Sequence, residues 1–200
     1  VLILCNPHNP IARAFTEEEL QKICRICKQH GVFIISDEAH SDLVFKNTRH
    51  YPIIGMTENA ATLNAPGKAF NVNGLYMSYV LIPNETVRQQ FDQAYENHHL
   101  DNNPLSVSAL IAAYESCESY LDEMVAYVEE NVQYLKDFLQ ASMPEVKMSQ
   151  PNATYLMWLD FRAWKMDADQ LDAFFQEAGV SLNNGKRFAA EAEGFMRINI

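Results

Sequence analysis

An α/β fold is predicted, with a mostly parallel, doubly wound sheet followed by a smaller α+β domain. Three observations lead there. Val1-Leu2-Ile3-Leu4 and Val32-Phe33-Ile34-Ile35 are unbroken apolar runs, the texture of strands buried on both faces. Between them Thr16-Glu17-Glu18-Glu19 opens a helical pattern. Strand, helix and strand within about forty residues make a βαβ unit, with parallel strands and a right-handed crossover. Late in the chain, short strand and helix patterns alternate at finer spacing, as in a second, smaller unit.

The elements follow in order. Residues 1–5 read as a buried strand, and residues 6–10 as a loop, because two prolines remove donors and restrict their neighbours. Thr16 can cap a helix, with Glu19 at the capping-box position and the acids favouring the positive helix end. Apolar residues at 20, 23, 24 and 27 keep the helical period until His30-Gly31 ends it. Residues 32–36 form the second strand, 60–64 a short third, and 76–82 a further buried strand ended by Pro83-Asn84. A helical region from 85 to 115 is interrupted around Asp101–Pro104, and a strong helix covers 119–141. Strands at 154–161, 180–183 and 195–200 and a helix at 168–178 complete the pattern. The boundary falls near 115, giving residues 1–115 as the last part of a large domain and 116–200 as a small domain.

Composition narrows the function. The chain has 200 residues, is 48% hydrophobic and 20% charged, and carries a net charge of −11. That charge argues against nucleic acid and anionic membranes as partners, and no apolar run is long enough to span a bilayer. Four cysteines are too few for a disulfide scaffold. Cys24 and Cys27 form a C-x-x-C inside a helical stretch, which reads as reduced, partly buried thiols, and a cytoplasmic protein fits. His98 and His99 are adjacent on a helix, not on one face, so they make a poor metal pair. Residue 1 is already inside a strand, residue 200 has no closing element, and no initiating Met is present. The expectation is an internal piece of a longer protein.

In an open parallel sheet, ligands bind beyond the carboxyl ends of the strands. Three unusual segments stand at such ends: Asn6-Pro-His-Asn-Pro10, Asp37-Glu-Ala-His40 and Pro66-Gly-Lys-Ala-Phe70. Together they would offer an Asn, an Asp, a His and a Lys to one crevice, suited to an anionic or heteroaromatic ligand.

Cys5-Asn-Pro-His-Asn-Pro10, Ser36-Asp-Glu-Ala-His-Ser-Asp42, Gly67-Lys-Ala-Phe-Asn71 and Gly194-Phe-Met-Arg-Ile-Asn199 stand in this order along the chain. With them the chain resembles the fold-type I pyridoxal-phosphate enzymes of the aminotransferase class I/II family, and within them the cystathionine β-lyase-like C–S lyases. The resemblance covers the whole chain. It implies that Lys68 joins pyridoxal 5′-phosphate covalently and later moves the proton. It also implies that Asp37 pairs with the pyridine nitrogen, that Asn9 bonds the ring's phenolic oxygen with His40 near that same oxygen, and that Arg197 clamps the substrate carboxylate. The chemistry suits these residue types. Only an amine makes a Schiff base, a fixed Asp holds a proton on the ring nitrogen, and a planar guanidinium grips a carboxylate bidentately.

The implied activity is α,β-elimination on cystathionine or a cysteine S-conjugate, a small amino-acid substrate, by a homodimer. An aminotransferase with the same residues is the alternative, and a non-catalytic binding or regulatory module the second. Four positions depart from the family pattern. Gly67 stands where Ser is usual, Tyr76 where Arg is frequent, and Ala12 and Ala189 where Gly is frequent. An Ala at a Gly position requires negative φ, so negative φ is expected at both.

Overall fold

The computed structural model describes residues 1–98 and 100–200; His99, half of the adjacent histidine pair, lies outside the described residues. The first sheet has the order β1-β2-β3-β4, from β1 (Leu2–Cys5), β2 (Ile34–Asp37), β3 (Ala60–Asn64) and β4 (Tyr79–Leu81). The first three are parallel, with Leu2 opposite Ile34 and Ile34 opposite Ala60, and β4 is antiparallel to β3. The predicted parallel α/β sheet is present, with one antiparallel edge.

Helix α1 (Glu17–Gln29) starts as the sequence implies. Thr16 accepts from Glu19 N, and the Glu19 side chain returns a bond from Thr16 N. It ends at His30, followed by Gly31 at φ 62°, where a side chain would be strained. Leu20, Cys24 and Cys27 pack with Leu4, Ile34, Ile53 and Ala60 as the core under one sheet face. Each fully buried Leu or Ile there contributes roughly 1.5–3 kcal/mol. The two helix thiols are free and buried, so the C-x-x-C is a core pair.

Two strand readings are corrected. β1 is buried on one face only: Leu4 is covered, whereas Ile3 is 75% exposed. Among the described residues nothing covers the face that carries Ile3, so the apolar run is not by itself a sign of cover on both sides. The buried strand expected at 76–82 shrinks to Tyr79–Leu81, with Leu81 44% exposed. Tyr76 sits at φ 48°, ψ 48°, closing the 3-10 turn Asn73–Leu75. That left-handed residue stops the extended chain, and β4 has a neighbour on one side only.

Helices α2 (Pro66–Ala69), α3 (Glu85–Asn97), α4 (Pro104–Ser116) and α5 (Glu118–Ser142) follow, with the expected interruption between α3 and α4. Asn84 and Asn103 cap α3 and α4. α5 leads into an antiparallel sheet of order β5-β6-β8-β7, made of β5 (Lys147–Met148), β6 (Leu156–Asp160), β7 (Asn183–Asn184) and β8 (Phe195–Asn199). α6 (Ala168–Glu177) is closed into a capping box by Asp167 and Gln170. β5 and α2 are too short to carry a readable period, and the strand expected at 180–183 is displaced to Asn183–Asn184, opposite Arg197 and Met196.

The two sheets are sewn together by a seam from residues 11–14 and 43–45 to residues 149–154. Asn152 Oδ1 accepts from Ala14 N, Ser149 Oγ donates to Ile11 O, and Thr154 N donates to Leu43 O. Ala12 and Phe45 also share a core with Val128, Val132 and Met157. This seam brings β8 over the carboxyl ends of the parallel strands. No described helix is long and apolar enough to cross a membrane.

Candidate active site

Backbone bonds tie the three parallel strand ends together. Asn6 N donates to Asp37 O at 2.9 Å, and Glu38 N donates to Leu63 O at 2.8 Å. The segments bearing Asn9, Asp37 and Lys68 therefore leave the sheet side by side. The Asn9 loop is a closed unit: Asn6 Oδ1 accepts from Phe15 N, His8 N donates to Arg13 O, and Ala12 N donates to His8 O. The Asn6–Pro7 and Asn9–Pro10 peptide bonds are cis.

Strand alternation sends the Asp37 carboxylate to the face opposite Ser36 and Glu38. Asp37 is exposed, and its side chain accepts one bond, from Ala39 N at 3.2 Å. His40 is buried, with its ring centroid 6.2 Å from that of Tyr155 and its Nε2 without a partner. Burial pulls the His40 imidazole down to about 4; Asp37 opposes this, and the charges of Lys68 and Arg197 add to it. One neutral ring thus senses three of the charged residues that the sequence singles out.

Lys68 sits on α2, a single helical turn with Pro66 in its first position. Asn64 ties this turn to the Asp37 segment, donating from Nδ2 to Ser41 Oγ at 2.7 Å and accepting from Ala65 N. Lys68 borders a cavity of about 360 Å³ shared with Tyr120, Tyr127, Tyr155 and Ile200.

Arg197 projects from β8. Its Nη1 donates to Asn9 Oδ1 at 2.9 Å and its Nη2 to Asn183 Oδ1 at 2.6 Å. Its Nε is buried without a partner, and the guanidinium carbon lies 5.0 Å from the Phe188 ring centroid. Burial lowers its basicity, and Tyr155 opposes that. Among the described residues neither Arg197 nor Lys68 forms an ion pair with a carboxylate. Two cations without counter-ions beside an exposed Asp37 suit a ligand that carries both an anionic group and a protonated nitrogen. His40 is coupled electrostatically to Asp37, Lys68 and Arg197, and Arg197 bonds Asn9. Asn183 and Tyr155 are added to them. The signal for Asn183 is its register opposite Arg197, which no sequence period shows.

The departures have structural counterparts. At Gly67 an added Cβ would lie 2.6 Å from Asn73 Oδ1 and 3.1 Å from Asn73 Cα, so the Asn73 side chain fills the space a Ser would need. Tyr76 is 94% exposed. Ala189 is extended, at φ −160°. Ala12 overturns the expectation of negative φ: it stands at φ 59°. Its N–H is bonded to His8 O, its carbonyl accepts from Asn152 N, and its methyl is wholly buried. These contacts offset a left-handed cost of roughly 1–2 kcal/mol.

The aminotransferase class I and II family model matches residues 1–200. The chain belongs to that family. It is 38% identical to the cystathionine beta-lyase PatB of Bacillus subtilis over all of this chain and 53% of that protein. The cystalysin structure from Treponema denticola, which contains pyridoxal 5′-phosphate, superposes with a TM-score of 0.94 at 32% identity, over 99% of this chain and 52% of that one. The PLP-bound C–S lyase of Staphylococcus hominis matches with a TM-score of 0.89 at 36% identity, over 99% and 53%. The chain therefore spans about half the length of the curated relatives it matches.

Proposed function

We propose that this chain is part of a pyridoxal-phosphate-dependent C–S lyase, converting cystathionine or a cysteine S-conjugate and water to pyruvate, ammonia and a thiol. The observation carrying this reading is the crevice in which Lys68 and Arg197, both without carboxylate partners, stand with Asp37, His40 and Asn9. The kinship with C–S lyases supports it. The donor set fits the cofactor. Asp37 accepts only one bond, from Ala39 N, and so has acceptor capacity for a ring N–H; the Asn9 amide can donate to a ring oxygen while its own oxygen accepts from Arg197; and buried His40 Nε2 has no partner among the described residues. When bound, pyridoxal 5′-phosphate supplies an electron-poor ring that takes up the charge left when the Cα–H bond breaks.

This chain's residues do the rest. Lys68 would hold the cofactor through its amine, and that amine is the group suited to take the Cα proton. Asp37 would hold a proton on the ring nitrogen. Arg197 grips the α-carboxylate of a small amino acid and orients its Cα–H bond, pre-aimed by Asn9 and Asn183. Residues 1–115 would form the end of the large domain and 116–200 the small one, in a cytoplasmic homodimer.

An aminotransferase would use the same residues, with the proton returned and no sulfur lost. The full-length polypeptide, given L-cystathionine without any keto acid, should release pyruvate. Amino transfer to 2-oxoglutarate without such release would replace the lyase reading. The visible absorbance of added cofactor, present in the unaltered protein and lost in Lys68→Ala, separates either enzyme from a non-catalytic module.

A further inference from the structure

Adjacent to Asp37 lies a buried cluster that the proposed chemistry does not use. Glu38 is 2% exposed. Its Oε1 accepts from Ser36 Oγ at 2.8 Å, Ile53 N at 3.0 Å and Thr62 Oγ1 at 3.4 Å, and its Oε2 lies 2.9 Å from His50 Nε2. Three donors converge on Oε1 and one on Oε2, so both oxygens of this buried carboxylate are bonded. The donors come from β2, β3, the 3-10 turn Ile53–Gly55 and the loop before it. Among the described residues His50 Nδ1 is buried without a partner and the imidazole is bonded only to Glu38.

We propose that Glu38 and His50 are positioning residues that clamp the tip of β2 and thereby fix the direction in which Asp37 faces its ligand. Successive side chains on a strand point to opposite faces. Glu38 anchors one face, and Asp37 is offered on the other. Asp37 cannot aim itself: its side chain has one bond, 3.2 Å long, within its own turn. Its direction is inherited from the peptide between residues 37 and 38. That peptide is held by Glu38 N on Leu63 O, and the Glu38 carbonyl accepts from Ser41 N, both at 2.8 Å. Well-packed apolar residues often replace buried charges without loss of stability. A buried, multiply bonded carboxylate beside a ligand-facing one is therefore better explained by geometry than by stability. The same clamp sets the start of the turn that carries His40.

The inference rests on the cofactor reading above, and the experiment separates the two. In the full-length polypeptide, His50→Leu removes the Oε2 donor, His50→Gln keeps an N–H donor, and Thr62→Val removes one Oε1 donor with little change of shape. Pyridoxal 5′-phosphate affinity by absorbance titration, the visible band and its pH midpoint, kcat and KM, and the melting temperature are measured for each. The expected result for His50→Leu is roughly tenfold weaker cofactor binding, a displaced band midpoint and a fallen kcat with KM held within about threefold. His50→Gln restores these, and Thr62→Val shifts them the same way by about two- to threefold. If His50→Leu does not fold, Thr62→Val against His50→Gln decides. Normal affinity, band and kcat with only the melting temperature lowered would overturn the clamp alone. An unaltered protein that shows no cofactor band overturns the clamp together with the cofactor reading.

Discussion

The loop over residues 6–15 and the segment over residues 66–76 both follow parallel strands and both carry a site residue, yet they are held very differently. The first is fastened from all sides: Asn6 Oδ1 to Phe15 N, Asn152 Oδ1 to Ala14 N, Ser149 Oγ to Ile11 O and Arg197 to Asn9. Asn6 is 1% exposed and Ala12 is fully buried. The second is one helical turn and one 3-10 turn, joined outward by Ser106 Oγ to Leu75 O and rooted in β3, whose last residue Asn64 bonds Ser41. Its Tyr76 is almost wholly exposed. The difference matches the tasks proposed for them. Asn9 must present a fixed amide, which asks for a rigid platform. Lys68 must swing between cofactor and substrate, which asks for a buried root and a free amine.

The comparison predicts that changes in the first region cost stability and changes in the second cost activity. Lys68→Ala has the largest expected effect: a loss of kcat of roughly a thousandfold or more, with unfolding free energy changed by less than about 0.5 kcal/mol. Steady-state rates and a urea melt check both halves, and a large stability loss would break the distinction.

Between the two regions sits His40. Its folded-state value is lowered, so the neutral form is favoured. The stability this brings is complete above the unfolded-state value of about 6.5 and is lost as pH falls towards the folded value of about 4. Over that window the loss is of order 3 kcal/mol, and His40→Gln should flatten it in urea melts at successive pH values.

Asn6→Ala should cost about 1–3 kcal/mol, because Phe15 N loses its acceptor beside a buried loop. Gly67→Ser should weaken cofactor affinity while costing about 1–2 kcal/mol through the contact with Asn73, and Asn73→Ala in the same chain should relieve it. Ala12→Gly should be the smallest. The relief of a left-handed Ala, about 1 kcal/mol, nearly cancels the loss of one buried methyl, about 0.8 kcal/mol. A calorimetric shift beyond about 2 °C in either direction would show that one of the two prevails.

Much of this was legible in residue order, because it is local. The capping box of α1, the Gly31 stop, the break before Pro104 and the motifs at strand ends all follow from neighbours within a few positions. Hence the α/β order could be read from the chain itself, while Asn9, Asp37, His40, Lys68 and Arg197 were implied by the resemblance those motifs carry. Long-range contacts decided the rest. Arg197 meets Asn9 across 188 positions and Asn183 only through an antiparallel register. Glu38 becomes an anchor because three other segments converge on it. Ala12 accepted a left-handed backbone because Asn152 and a buried pocket hold it there. Local sequence sets which conformations are cheap; only packing decides which expensive ones are repaid.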